Sequence, residues 1–336
     1  MVALPKKWVK EMGLEQGSEV TITKLSPSTL LVNAQPDLSQ GAGREAAFEV
    51  GLDDSPETIF RKIVSLYVIG YSRIIIEGPR GYFSPSKKDS IKDMIRRHLI
   101  GTEGVAESRD RMTIHVLLGY SELSVESALK KMLLIIDSLR KDATQALETN
   151  DVVLARATVE RQEEVGRFEL YVIRQLNLTL TQGVLPDLKL ENRDTLGYIL
   201  VSRTLERVAY NVSVLTRAVT DLGRPLPKPM VKKLASMNEK ACALVDEALL
   251  ALFKRDGQSA DAIIGKVESF AEIEAEFIKS VNGSDSQTYY ILHVLMDSQR
   301  RVAEYAKDIA EAVLDMTVER ALKREEVPVP QLLYST

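Results

Sequence analysis

From Ser121 to about residue 324 the apolar residues recur at helical spacing almost without interruption, and this stretch repeats itself. Residues 142–177 slide onto 247–282, a shift of 105, without a gap and with 10 identities in 36 positions. Ala143/Ala248, Ala146/Ala251, Leu147/Leu252, Asp151/Asp256, Ala155/Ala260, Ile173/Ile278 and Asn177/Asn282 are among them. Average composition predicts about two or three. A repeated amphipathic helical unit buries its apolar stripe against its copy, so the pattern predicts a duplicated antiparallel bundle, three helices followed by three. The spacing places helices over 122–148, 151–178, 191–222, 228–255, 258–281 and 286–324. Asp151, the Gly183/Pro186 loop, Gly223–Pro227, Gly257 and Gly283 punctuate them.

Composition agrees. Glycine and proline together are 30 of 336 residues and aromatics only 19, too few turn-makers for a β-sandwich or propeller. The net charge of −4 excludes a globally basic nucleic-acid coat and a highly acidic disordered chain. Cys242 is the only cysteine, which excludes an intrachain disulfide and suits a reducing compartment. The apolar run Met132–Ile136 ends at Asp137, far short of the roughly 20 residues that span a bilayer. The N-terminus lacks the charged-then-apolar order of a secretory signal. The expectation is a cytoplasmic protein without membrane insertion.

Two smaller zones precede the helical one. In residues 1–35, Pro5 opens a short helix that Gly13 stops. Glu19–Thr23 and Leu30–Val32 then read as a hairpin turned at Ser26–Ser28. Thirty-five residues with so little core require a partner chain or the rest of the protein. Residues 36–43 read as a linker. Residues 44–120 alternate strand and helix: strands at Ala46–Val50, Ile74–Ile76 and Met112–Leu118, with helices capped by Ser55-Pro56 and Ser84-Pro85. The expected domains are thus 1–35, 44–120, 121–225 and 226–326.

Catalytic constellations fail. The residues three before His98, His115 and His293 are Ile95, Met112 and Tyr290, so no Glu-x-x-His ligand motif exists. No His-x-x-x-His zinc pattern, phosphate-binding loop with its lysine, or Gly-x-Ser-x-Gly elbow is present. His98, beside Arg96 and Arg97, reads as a helix C-terminal cation; the other two read as structural. The basic stretch from Lys87 to Arg97 reads as a solvated helix face, and Tyr289, Tyr290 and Tyr305 as core or interface packing. The chain is not expected to be an enzyme.

Leu4-Pro5-Lys6, the short helix, Gly13-Leu14 with Gly17, and the strand after it resemble the SpoVT/AbrB swapped-hairpin domain. Ala146-Leu147, Asp151, the helix from Glu160 to Leu176 and the stretch Arg301–Ala310 make the duplicated bundle similar to PhoU-type phosphate uptake regulators. Joined through an α/β segment, the two resemble the archaeal branch of PhoU-like proteins over nearly the whole chain.

The resemblance implies a non-enzymatic regulator of phosphate uptake that contacts a phosphate transporter or its regulatory system, with the N-terminal segments forming a homodimer. The alternative is a transcription regulator whose N-terminal dimer contacts DNA. Lys6, Lys7 and Lys10 are the candidate DNA-contacting residues. Over 1–37, four lysines are balanced by four acids, which leaves little of the phosphate-neutralising charge that DNA affinity needs. The swapped-hairpin pattern also has a strand before Leu4; either it is absent or the start is truncated.

PhoU bundles carry acidic pairs four residues apart that bind iron or zinc. Here the corresponding positions hold Gln162 and Gly166, Tyr210, and Val267 and Ala271. Only Glu304 and Asp308 keep the pattern, which makes them the candidate metal ligands. No other cofactor is expected.

Overall fold

The computed structural model describes residues 3–26, 29–33, 44–117, 123–182, 192–281 and 283–321. The fold is mainly α, a duplicated helical bundle with a small sheet near the N-terminus. Two units arise by packing: one spans Met1–Tyr120 and Asn177–Leu185, the other Ser121–Leu176 and Pro186–Thr336. The expected linker 36–43, the Gly183/Pro186 loop and the C-terminal tail lie outside the described residues.

In the first unit, α1 (Lys6–Glu11) follows the extended Pro5 and ends at Gly13, whose φ of 63° is the left-handed conformation that glycine adopts without strain. It buries no residue. Strands β1 (Thr21–Ser26) and β2 (Thr29–Asn33) pair antiparallel with Ile22 opposite Val32. Ile22 and Leu30 stand 60% and 58% exposed, so among the described residues nothing apolar covers these two side chains.

The second sheet comprises β3 (Glu45–Glu49), β4 (Arg73–Glu77), β5 (Thr102–Glu107) and β6 (Arg111–Val116) in the order β3-β4-β6-β5. β3 and β4 run parallel, joined through α2 (Pro56–Val68); α3 (Pro85–His98) follows β4. Alternation sends Ile74 and Ile76, with Met112 and Ile114 opposite them, into a core shared with Ile59, Ile63, Ile91 and Ile95. Ser55 caps α2 by accepting from the Thr58 amide at 3.2 Å. Ser84 makes no such bond, and α3 begins on Pro85 alone.

Strand β5 has no counterpart in the periodicity. Its sequence, two glutamates and a glycine among six residues, is a poor strand former, and its place at the sheet edge needs pairing on one side only. The basic face of α3 also departs from expectation at one position. Lys88 is buried, donating to the Ser108 carbonyl and lying 5.5 Å over the Phe83 ring. Gly78 permits this close packing: a Cβ there would come within 2.4 Å of the Tyr82 carbonyl oxygen. The end of α5 belongs to this unit, where Asn177 donates to the Val68 carbonyl at 2.9 Å and Leu178 rests on Gly70.

The second unit holds α4 (Val125–Thr149), most of α5 (Val152–Gln182), α6 (Asn192–Ser213), α7 (Arg217–Asp221), α8 (Lys228–Lys254), α9 (Gly257–Glu268), α10 (Phe270–Val281) and α11 (Ser286–Ala321). α11 packs against α6, α8 and α9, and α4 against α6 and α8. Leu139, Leu205, Leu215, Leu249, Leu295 and Val313 fill the core without exposure.

The duplication reappears in hydrogen bonds. Asn150 ends α4 at φ 53°, and Arg255, 105 residues on, ends α8 at φ 52°. The next residues, Asp151 and Asp256, donate their amides back to the carbonyls of Ala146 and Ala251 at 3.0 and 2.9 Å. Their carboxylates then cap α5 and α9, Asp151 accepting from Leu154 N at 3.0 Å and Asp256 from Ser259 N at 3.0 Å. Asp142 with Arg161 and Glu247 with Lys266 form equivalent ion pairs between the first and second helices.

Two expected helices are interrupted. α6 and α7 are separated by a 3₁₀ turn at Val214–Thr216, where the Ser213 and Thr216 hydroxyls bond to carbonyls three residues back, each at 2.7 Å. Successive hydroxyls competing for backbone acceptors favour this tightening. α9 and α10 part at Ser269, whose hydroxyl takes the Lys266 carbonyl at 2.7 Å just before Phe270 is buried.

Candidate functional site

Besides the ion pairs at the first-to-second helix junctions, charged side chains face one another between the second and third helices of each repeat. On α5 and α6, Gln162 donates to Glu206 at 3.2 Å, and two turns along α5 Glu169 meets Arg203 at 3.4 Å. Glu169 has only 13% of its side chain exposed. Burial pushes its carboxyl up to about 7, Glu206 adds to the rise, and Arg203 and Arg207 oppose it. A carboxyl placed this way carries its proton for part of the time near neutrality.

On α10 and α11 the centre is Arg300. Its Nη2 meets Asp297 at 2.6 Å, its Nη1 donates to Glu304, and its Nε lies 3.8 Å from Glu274. Asp297 also receives Arg301 at 2.8 Å. Glu274 is the residue that a shift of 105 maps onto Glu169, so each repeat directs an acid of its second helix at an arginine of its third. Sequence reasoning passed over Glu169, Arg203, Glu274 and Arg300. The identity of Glu169 and Glu274 within the repeated stretch was the signal available.

The candidate metal ligands Glu304 and Asp308 share one face of α11. Glu304 is already engaged by Arg300. Burial and then Glu311 raise the Asp308 carboxyl, against the pull of Arg207 on α6. The positions expected to complete a cluster, Val267 and Ala271, carry no donor atoms, and Gln162 spends its amide on Glu206. Among the described residues no three His, Cys, Asp or Glu side chains converge as a metal site would need. These residues do not fit an iron or zinc cluster.

Lys6, Lys7 and Lys10 are all exposed on α1, and Lys7 lies 3.9 Å from Glu11. His98 sits in the last turn of α3 with its ring 5.5 Å from Phe60, and His293 is 3.1 Å from the Tyr289 hydroxyl. Tyr290, expected to pack, is 66% exposed. Among the described residues no helix is long and apolar enough to cross a membrane.

A PhoU domain family model matches residues 129–214, from the first turns of α4 to the end of α6. The crystal structure of PhoU from Pseudomonas aeruginosa is similar at 19% identity and a TM-score of 0.50, covering 59% of this chain and 96% of that one. The phosphate transport system regulatory protein PhoU from Streptococcus pneumoniae is similar at 15% identity and a TM-score of 0.50, with the same coverage. At these identities the likeness establishes the fold, a PhoU-like helical bundle. No curated protein matches the chain.

Proposed function

We propose that the protein is a non-enzymatic regulator of phosphate uptake that works by docking helical faces on a phosphate transporter or its regulatory system. The PhoU domain match over α4 to α6, set within a bundle that repeats the same three-helix unit, carries this reading. Residues 121–225 and 226–326 are the two repeats, 44–120 the intervening α/β domain, and 1–35 a SpoVT/AbrB-like segment of the kind found in the archaeal branch. Disrupting the gene in its host and following labelled phosphate uptake tests it. The response of uptake to external phosphate is expected to change; an unaltered rate and response would sink the proposal.

The N-terminal segment is the dimerisation element. A two-stranded hairpin is marginal alone, and α1 buries nothing while Ile22 and Leu30 stand open to a second copy. The full chain is expected to sediment as a dimer in the cytoplasmic range of salt, and the double variant Ile22→Asp, Leu30→Asp as a monomer. A DNA-contacting role for the same dimer is the second reading, favoured by the exposure of Lys6, Lys7 and Lys10. Mobility shift on the promoter of a neighbouring phosphate-transport operon separates the two. Specific retardation that weakens as salt rises supports DNA contact.

A further inference from the structure

We infer that Arg300 is the built-in cation of the second repeat, its guanidinium engaging Glu304, one of the two acids that keep the metal-binding pattern of PhoU bundles, together with Asp297 and Glu274 outside that pattern. Each of its three nitrogens faces a different carboxylate: Nη2 to Asp297, Nη1 to Glu304 and Nε to Glu274. Asp297 and Glu304 lie three residues before and four after Arg300, which puts all three on one face of α11. Glu274 comes from α10, so the arginine ties the second helix of the repeat to the third. Guanidinium is charged at every accessible pH and its fork of donors matches carboxylates, which makes it a permanent occupant where a metal ion exchanges.

Two further observations bear on this. The residues that would complete a metal shell, Val267 and Ala271, offer nothing to a metal, while the arginine uses acids outside the expected motif. The first repeat also pairs its second and third helices through an acid and an arginine, Glu169 and Arg203, although a shift of 105 carries Arg203 onto Asp308 and not onto Arg300. A carboxylate set already engaged by Arg300 and Arg301 leaves few free donor atoms for a divalent cation, so the chain is expected to fold without one.

The inference rests on the PhoU-like reading only for the expectation of metal. Metal content and unfolding are measured without reference to phosphate uptake, so it and the proposed function fail separately. The full chain is dialysed against EDTA, exchanged into metal-free buffer, and assayed for iron and zinc by plasma mass spectrometry. Thermal unfolding is followed with and without added Zn²⁺ or Mn²⁺. Well under one metal ion per chain is expected, with the same Tm under all conditions. Arg300→Met is expected to lower Tm by several degrees, and Arg300→Lys, which keeps the charge, by less. Stoichiometric metal surviving EDTA, a Tm raised by either ion, or Arg300→Met as stable as the unsubstituted chain would each overturn it. Equal losses in the Lys and Met variants would do the same, because charge would then not be what matters.

Discussion

In the first repeat the second helix, α5, runs unbroken past Glu164 while the third is interrupted at Val214–Thr216. In the second repeat α9 and α10 part at Ser269, and the third helix, α11, runs unbroken over 36 residues. The junction between first and second helices is nevertheless the same in both: a left-handed residue, a capping aspartate and an ion pair one turn or more away. Local hydrogen-bonding chemistry has thus been retained where helix continuity has not. Continuity follows packing. α11 lies against α6, α8 and α9, so successive turns on different faces find partners, and single backward-bonding hydroxyls such as Ser298 are tolerated there.

The largest difference between the junctions is chemical. Arg255 stands where the first repeat has Asn150, and it reaches back to Asp194 on α6 at 2.6 Å, where the carboxylate is only 1% exposed. Arg255→Asn makes the second junction copy the first and keeps a residue suited to positive φ. It leaves a buried carboxylate without this partner, so a loss of about 3 kcal/mol is expected in urea unfolding. Asn150→Arg is expected to change little. Equal effects would mean that the two junctions do not differ in this way.

Glu169 sharpens the comparison through pH. Its folded carboxyl titrates at about 7 against an ordinary 4.5, so the folded protein holds a proton there that the unfolded chain releases. Its contribution is full below about 4.5 and is lost as pH rises through 7, a fall of up to about 3 kcal/mol. Glu169→Gln is expected to flatten that part of the stability profile. An unchanged slope would show that the Arg203 contact outweighs burial.

The matched caps should respond alike. Asp151→Ala and Asp256→Ala are each expected to lower Tm by roughly 2–4 °C. The Asp256 carboxyl is held below its usual range by its bonds to Ser259, so its capping is lost as pH falls through that lowered value and is intact above about 4. A cap that mattered in one repeat only would break the equivalence of the junctions. The smallest effects are expected at the paired surface charges: Asp142→Asn and Glu247→Gln should each alter stability by less than about 1 kcal/mol.

Much of this was legible beforehand. The helical period, the shift of 105 with its matched Asp151 and Asp256, and Gly13 are set by spacing within a turn or two, and the helices α4, α5, α8 and α11 begin close to where that spacing places them. Glu304 and Asp308 were legible as a pair because four residues is one helical turn. Their surroundings were not, since Arg300 is engaged partly by Glu274 on another helix, 26 positions earlier in the chain.

The sequence by itself determined the mainly α class, the duplication and local features such as the Ser55 cap of α2 and the Gly13 stop of α1, because those depend on residues that are neighbours along the chain. Tertiary structure decided that β5 forms at a sheet edge, that Lys88 is buried rather than solvated, that Arg255 pairs with Asp194, and that Arg300 on α11 meets Glu274 on α10. Each of these depends on the register between elements packed side by side. That register is set by how whole faces fit, and no local spacing encodes it.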